Sequence, residues 1–243
     1  MVDATEISRC CSTPLDSTPL ELIPPQAPLR CCLLSGGSSR RMGRDKALLD
    51  HPAGGSWLSH TLGLLAELEA PISLCSNHPS HRQLAEQLRW FSRLGQGLPL
   101  AASLQLIEEP IPPQGPLQAL GHLMHCHPGE RLLLCPVDMP WLDRPSLDQL
   151  QRSAEERPRQ LSVACDGARL HPLLGIYPAS EALRRDLHSW LAQGHRSMHS
   201  WLARHTIHPV LLPASALHNC NRPEDWPGPR PAGLVSPAPR ATG

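Results

Sequence analysis

A glycine-rich, cationic segment near the amino terminus has the residue types of an anion-binding loop. Residues 33–46 read LLSGGSSRRMGRDK, with adjacent glycines followed by Arg40, Arg41, Arg44 and Lys46. Glycines let the backbone turn its N–H groups towards a phosphate. Arg can hold a phosphate through two parallel hydrogen bonds, and Lys supplies a mobile charge. The spacing matches neither common glycine motif for phosphates, so the segment predicts another type of phosphate cradle. A solvated Gly/Ser loop is the alternative.

A single acidic residue after an apolar run is the second candidate. Asp138 directly follows residues 132–137 (LLLCPV). Mg²⁺ prefers oxygen ligands and is often held by one or two carboxylates together with substrate phosphates. Asp138 therefore suits a metal site, and the alternative is an Asp that begins a turn before Pro140.

Short apolar runs alternate with amphipathic segments, and this alternation predicts the elements that position both candidates. The predicted strands are 30–35, 71–76, 104–107, 131–137 and 160–164, and the predicted helices are 58–68, 116–124, 180–191 and one with Ser146 as N-cap. The pattern predicts an α/β fold, a single-domain, mostly parallel twisted sheet with helices on both faces. Ligands of such sheets bind beyond the carboxyl ends of the strands, so the cationic segment and Asp138 are expected at the ligand-binding edge of the sheet.

The bulk composition limits the function classes. The chain has 243 residues, with 22 basic and 22 acidic side chains. Nucleic-acid surfaces normally show a basic excess, so no nucleic-acid partner is expected. No run of about 18 apolar residues occurs, so no membrane partner is expected either. The chain has nine cysteines but no C-x-x-C pair, which indicates buried thiols in a reducing compartment. A cytoplasmic location is expected.

The two ends of the chain differ in composition from its centre. Residues 1–28 are rich in Pro, Ser and Thr, and residues 227–243 are rich in Pro and Gly. Both predict disorder, a leader and a tail around one domain at 29–226.

The segment 33–46 resembles the L-A-G-G-x-x-x-R-M-G-x-D-K signature of the molybdenum cofactor guanylyltransferases, with Ser35 in place of Ala. The Gly-Gly form resembles the GTP-using branch more than the CTP-using one. This resemblance implies a Rossmann-like nucleotidyltransferase fold, with Mg²⁺ as cofactor and with GTP and molybdopterin as small-molecule substrates. The implied reaction joins GMP to the phosphate of molybdopterin and releases pyrophosphate. Transient contact with other cofactor-assembly proteins is a further expectation.

The resemblance implies a role for each matched position. Catalysis would fall to Arg41, Lys46 and Asp138, and Asp138 would also hold the metal. Further segments that resemble the family lie at residues 75–77, 107–119, 135–142, 166–172, 194–197 and 218–225. The implied nucleotide site is Leu34, Ser35, Gly36, Gly37, Lys46, Cys75, Asn77, Glu109 and Asp138. The implied acceptor site is Asp166, His171, Arg196, Asn219 and Asn221. Cys75, Glu109 and Ala119 depart from the Asn, Asp and Gly of the family pattern.

Other functions remain open at this point. The same fold could use CTP or a sugar-phosphate acceptor, or the chain could be a non-catalytic GTP-binding sensor. His122, His125, Cys126 and His127 could form a metal-carrying module. A structural Zn²⁺ needs four such ligands, and the rest of a set is not evident, so an exposed or capping histidine group is favoured.

Overall fold

The computed structural model describes residues 27–36, 45–95, 104–221 and 225. They contain one seven-stranded sheet in the order β3-β2-β1-β4-β6-β5-β7. The strands are β1 (Leu29–Leu34), β2 (Ile72–Cys75), β3 (Leu104–Ile107), β4 (Arg131–Pro136), β5 (Leu161–Cys165), β6 (Leu170–Pro178) and β7 (Ile207–Leu211). The single-domain, mostly parallel α/β architecture is confirmed: β6 alone among these strands runs antiparallel to its neighbours, β4 and β5.

The five predicted strands are confirmed, but β6 and β7 were missed. β6 contains Pro172, Gly175 and Pro178, and β7 contains Pro209. Pro removes a donor from the hydrogen-bond ladder and Gly contributes no side chain to pack, so both residues argue against a strand locally. Pairing with β4 and β5 overrides that local preference.

Helices flank the sheet. They are α1 (Trp57–Ala66), α2 (Pro79–Arg93), α3 (Pro116–Cys126), α4 (Arg144–Glu156), α5 (Glu181–Ala192) and α6 (Met198–Leu202), with a 3₁₀ helix at Lys46–Leu48. The helix α2 was not predicted, because its sequence is polar and its fully buried positions are only His81 and Ala85. The prediction that Ser146 is an N-cap is wrong. Asp143 caps α4 by accepting from the Ser146 N–H, and Pro145 in the first turn suits a helix that begins at Arg144.

The strands divide their side chains between two apolar cores, one on each face. In β1, Cys31 and Leu33 face one core and Cys32 faces the other, as expected because successive strand residues point to opposite faces. The first core packs against α1, α2 and α4, and the second against α3, α5 and α6. Helices on both faces of the sheet are therefore confirmed.

The parallel pairing of β1 and β4 positions the candidate site. Leu34 pairs with Pro136 at the carboxyl ends of the two strands, and the Val137 N–H donates to the Leu34 carbonyl at 3.0 Å. Ser35 and Asp138 consequently leave the sheet at the same edge. In the part of the chain that the structure describes, no helix is both long and apolar enough to cross a bilayer.

The predicted leader and tail lie outside the described residues, apart from Ala27 and Pro28. Their carbonyls accept from the Arg131 side chain and backbone, respectively.

Candidate active site

Lys46 and Asp138 form the centre of the site. Lys46 begins the 3₁₀ helix, which Asp45 caps by accepting from the Ala47 N–H. Lys46 Nζ lies 2.6 Å from Asp138 Oδ2 and 3.2 Å from Asn221 Oδ1. The structure therefore brings together three of the predicted site residues, from distant parts of the chain.

The carboxy-terminal segment is held against the end of β4. The Cys220 N–H donates to the Asp138 carbonyl at 2.9 Å, and this bond places Asn219 and Asn221 on either side of a residue fixed to β4. Burial raises the pKa of the Cys220 thiol to about 11. Cys220 is therefore an uncharged packing residue, and its two neighbours carry the polar groups.

A cavity of about 350 Å³ opens beside this centre, within the size range of small-molecule sites, roughly 300–1,000 Å³. Leu34, Gly36, Lys46, Glu109 and Asp138 line it, so it contains five of the residues predicted to bind nucleotide. Other lining residues were missed by sequence reasoning, including Pro113, Gln114 and Gln118. The Gly-Pro pair at 115–116 was the one signal that marked this region.

Gly36 and Glu109 approach each other closely at the cavity wall. A Cβ atom on Gly36 would lie 1.5 Å from Glu109 Oε1, so a larger residue there would displace the carboxyl group. Burial raises the pKa of Glu109, and His78 lowers it by a smaller amount. The glycine thus makes room for an acidic group in the cavity.

Asn77 is engaged with the backbone of Glu109. Its Nδ2 donates to the Glu109 carbonyl at 3.0 Å, and its Oδ1 accepts from the Glu109 N–H at 2.9 Å. These bonds join the ends of β2 and β3, so the Asn77 amide positions Glu109 and does not line the cavity.

Cys75 and Ser35 turn away from the cavity. Cys75 is fully buried in the core beneath α3, and burial raises its pKa to about 12. Cys75 was predicted to contact the nucleotide. In the structure β2 directs its side chain into the apolar core, so the thiol does not line the cavity. The Ser35 hydroxyl is likewise buried and faces His81 Nδ1 at 3.1 Å.

A second cavity, of about 440 Å³, contains much of the predicted acceptor site. His171, Arg196 and Asn219 line it, and it shares Pro116 and Leu173 with the first cavity. Among the described residues, Asn219 Oδ1 is buried without a hydrogen-bond partner. The two cavities are therefore adjacent, and a polar atom is available in the second.

Two of the residues predicted to bind the acceptor do not line the second cavity. Asp166 does not line the second cavity; its Oδ2 accepts from His171 Nε2 at 2.9 Å, so it orients that ring. Asn221 lies at Lys46. Arg196, in contrast, reaches the cavity while donating to the carbonyls of Leu191 and His195.

Two predicted residues, Gly37 and Arg41, lie outside the described residues. The His/Cys cluster does not come together as one set. Cys126 Sγ lies 3.7 Å from His122 Nε2, but His127 is buried and bonded to Ser73, whereas His125 and Cys126 are exposed. Within the described ranges, the group of three potential metal ligands lies elsewhere, at Asp45, His78 and His81. Sequence reasoning missed these three, although Asp45 belongs to the quoted motif.

Asp138 has the chemistry to hold a hard divalent cation. Its Oδ1 is buried and has no hydrogen-bond partner among the described residues, and the Asn221 amide oxygen lies within reach of the same lysine. Carboxylate and amide oxygens are the ligands that such cations take. The residues present therefore fit a metal ion at Asp138.

The open α/β sheet places a lysine, a carboxylate and a cavity beyond the carboxyl ends of β1 and β4, where such sheets bind their ligands. Comparison with known proteins gives the family. Residues 31–210 match the model of the MobA-like NTP transferase domain, and the chain belongs to this family.

The curated relatives agree with this assignment. The chain is 33% identical over 208 residues to a probable molybdenum cofactor guanylyltransferase of Rhodopirellula baltica, covering 82% of this chain and 90% of the relative. It is 32% identical over 201 residues to one of Synechococcus elongatus, covering 80% and 94% of the two chains.

Solved structures share the fold. Molybdopterin-guanine dinucleotide biosynthesis protein A from Archaeoglobus fulgidus superimposes with a TM-score of 0.58 at 18% identity, covering 81% of this chain and 94% of that one. A 4-diphosphocytidyl-2C-methyl-D-erythritol synthase gives a TM-score of 0.60 at 10% identity, with 82% and 96% covered. The predicted Rossmann-like nucleotidyltransferase fold is confirmed.

Proposed function

We propose that this chain transfers GMP from GTP to the phosphate of molybdopterin and releases pyrophosphate. A terminal phosphate oxygen of molybdopterin attacks the α-phosphorus of GTP, the new P–O bond forms, and the bond to the β-phosphate oxygen breaks. The observation that carries the proposal is the convergence of Lys46, Asp138 and Asn221 beside a cavity bordered by Gly36.

The chain's own residues supply alignment and charge. Phosphoryl-group transfer needs mainly positioning and electrostatic stabilisation, with little covalent chemistry from the protein. Lys46 Nζ is anchored to Asp138 and Asn221, so its charge is fixed before a triphosphate arrives. It stabilises negative charge on the leaving pyrophosphate. Arg41 adds a second cation by its position in the family motif.

Mg²⁺ is the proposed metal. Asp138 would hold it through the Oδ1 atom that lacks a protein partner among the described residues. When bound, Mg²⁺ would neutralise phosphate oxygens and stabilise charge as the bond breaks. Lys46 Nζ already contacts Oδ2. The carboxylate can therefore bind the ammonium group through Oδ2 and a metal ion through Oδ1.

GTP is assigned to the first cavity and molybdopterin to the second. Glu109 provides a carboxylate in the first cavity, and carboxylates pair with N–H donors such as those of guanine. Asn219, His171 and Arg196 provide polar and cationic groups in the second. Because the cavities share Pro116 and Leu173, the two substrates can meet at their boundary, close to Lys46 and Asp138.

The test is pyrophosphate release with GTP, Mg²⁺ and molybdopterin, with CTP as the control nucleotide. We expect release with GTP and much less with CTP. Preference for CTP, or turnover only with a sugar phosphate, would overturn the substrate assignment. Binding of GTP and Mg²⁺ without any release in the presence of molybdopterin would identify a nucleotide sensor instead.

A further inference from the structure

His81 is a buried histidine that touches both ends of the glycine-rich segment. Its side chain is 1% exposed. Its Nδ1 lies 3.1 Å from Ser35 Oγ, at the end of β1, and its Nε2 lies 2.7 Å from Asp45 Oδ2. Ser35 and Asp45 are the described residues next to Gly36 and Lys46, both of which line the first cavity. One imidazole ring therefore joins the described residues Ser35 and Asp45, which are ten positions apart in the sequence.

The chemistry of the three groups determines the direction of the hydrogen bonds. A carboxylate can only accept, so His81 Nε2 carries the proton and donates to Asp45. Burial lowers the pKa of His81, and Asp45 opposes this to a smaller extent, which favours a neutral ring with a lone pair on Nδ1. Two hydroxyl donors share that lone pair, Ser35 Oγ at 3.1 Å and Ser76 Oγ at 2.9 Å. Ser76 Oγ in turn accepts from the His78 N–H, at the start of α2.

The Asp45 side chain connects His81 to the 3₁₀ helix that contains Lys46. One carboxylate oxygen accepts from His81 and the other from the Ala47 N–H, 3.0 Å away, which caps the 3₁₀ helix. Lys46 is the first residue of that helix, and its ammonium group reaches Asp138. A cap fixes the direction of the first helical turn, so His81 sets the position of Lys46 through Asp45 without touching the cavity.

We propose that His81 is a positioning residue for nucleotidyl transfer, which ties Ser35 and Asp45 to the first turn of α2 and so holds Gly36 and Lys46 in place for the triphosphate. This role rests on the proposed function. His81 thereby keeps Gly36 and Lys46 preorganised for the nucleotide.

A metal site is the competing explanation for this cluster. Asp45, His78 and His81 offer ligand atoms within 4.8 Å of one another. Two ligands of a tetrahedral Zn²⁺, each about 2.0 Å from the ion, would lie roughly 3.3 Å apart. The 2.7 Å separation of His81 Nε2 and Asp45 Oδ2 is instead that of a charge-assisted hydrogen bond. The geometry therefore favours a hydrogen-bonded cluster of Ser35, Asp45 and His81 over a metal site.

The test compares His81→Phe with His127→Phe. His127 is a matched control because it is also buried and also bonded to a serine, Ser73, at 3.0 Å. It precedes β4, whereas Asp138 follows that strand, so the two ends of the strand separate the control from the site. Both substitutions remove a buried imidazole ring, but only His81→Phe removes the hydrogen bonds to Ser35 and Asp45.

The first readout needs no substrate. Trypsin cleaves after Arg, and the segment between Ser35 and Asp45 contains Arg40, Arg41 and Arg44. We expect native-state cleavage at these arginines to be faster in His81→Phe than in the wild type or in His127→Phe. Equal cleavage rates in the two variants would overturn the proposal, whether or not the protein proves to be a guanylyltransferase.

The second readout is binding and turnover. Failure of the wild type to bind GTP with Mg²⁺ would reject the proposed function itself. When the wild type binds, we expect His81→Phe to raise KM for GTP by roughly tenfold or more, the size expected from losing hydrogen bonds to a charged group. KM for molybdopterin should not change. Destabilisation alone would lower the active fraction and leave both KM values intact, and that outcome would overturn the proposal.

Two further measurements complete the test. Ser35→Ala removes one hydroxyl group and should raise KM for GTP by roughly twofold to tenfold, the effect of one neutral hydrogen bond. Ser35→Ala keeps the proposal testable when His81→Phe does not fold. A wild-type KM for GTP in Ser35→Ala would then contradict the proposal. Stoichiometric Zn²⁺ on the wild type that is lost in His81→Phe would also overturn it, because His81 would then be a metal ligand.

Discussion

Lys46 Nζ and Asp138 Oδ2 lie 2.6 Å apart, although 92 residues separate them in the chain. Their side chains are 19% and 14% exposed, so the pair is largely removed from water. Truncating one partner of such a pair leaves the other charge uncompensated. Lys46 follows β1 and Asp138 follows β4, and the parallel pairing of these strands brings their carboxyl ends to the same edge of the sheet.

Asp138→Asn should lower turnover by at least roughly 10²-fold with the fold intact, because the amide cannot supply the charge for the metal and for Lys46. Pyrophosphate release over a range of Mg²⁺ concentrations measures the effect, and circular dichroism checks the fold. Wild-type activity at ordinary Mg²⁺ would remove Asp138 from the metal site.

Lys46→Ala should also cost roughly 10²-fold or more in turnover, the effect of losing one preorganised charge-stabilising donor. Because the residues touch, the double variant with Asp138→Asn should lose less than the product of the two single losses. The kinetics of the three variants form a double-mutant cycle. Strictly multiplicative losses would mean that the two residues act independently.

Asn77→Ala should destabilise the protein by about 1–3 kcal/mol, the loss of two hydrogen bonds worth roughly 0.5–1.5 kcal/mol each. The variant breaks both bonds to the Glu109 backbone. Urea unfolding gives the free energy, and Asn221→Ala, at an exposed position, is the control, expected to change it by less than about 0.5 kcal/mol. A comparable loss in both variants would contradict the structural role of Asn77.

Asp166 should make stability depend on acid pH. The hydrogen bond from His171, followed by bonds from the Ala168 and Arg169 N–H groups, holds the pKa of Asp166 well below its ordinary value of 3.8. A carboxyl group with a depressed folded-state pKa stabilises the protein above its unfolded pKa, and the contribution is lost as the pH falls below it.

The difference in unfolding free energy between the wild type and Asp166→Asn should therefore shrink as the pH falls below about 4. Urea titrations at several pH values measure it. A difference that stays unchanged below about pH 4 would contradict the lowered pKa of Asp166.

The sequence predicted the first half of the sheet well and the second half poorly. The strands β1 and β4 are mostly apolar runs followed by a glycine pair and an acid, and such runs are typical of buried parallel strands. The strands β6 and β7 carry proline inside them, and α2 has only His81 and Ala85 fully buried. Their conformation follows from pairing and packing with distant residues, which local patterns do not contain.

In the candidate site, too, the sequence predicted the roles of some residues and not of others. Lys46, Asp138 and Gly36 could be selected from motif and spacing alone, and each reaches the first cavity. Asn77 and Cys75 share a strand end with the site, yet one supports Glu109 and the other packs in the core. No spacing rule separates these roles, because they depend on which way each side chain points.

By itself, the sequence determined the fold class, the glycine-rich cationic segment and the acid after the central strand. These are local features, set by apolar periodicity and by residue chemistry over a few positions. Only the tertiary structure decided that Lys46 contacts Asp138, that Asn221 joins them, and that His81 connects Ser35 to Asp45. Such contacts arise from strand order and helix packing, which bring together residues that no local interaction links.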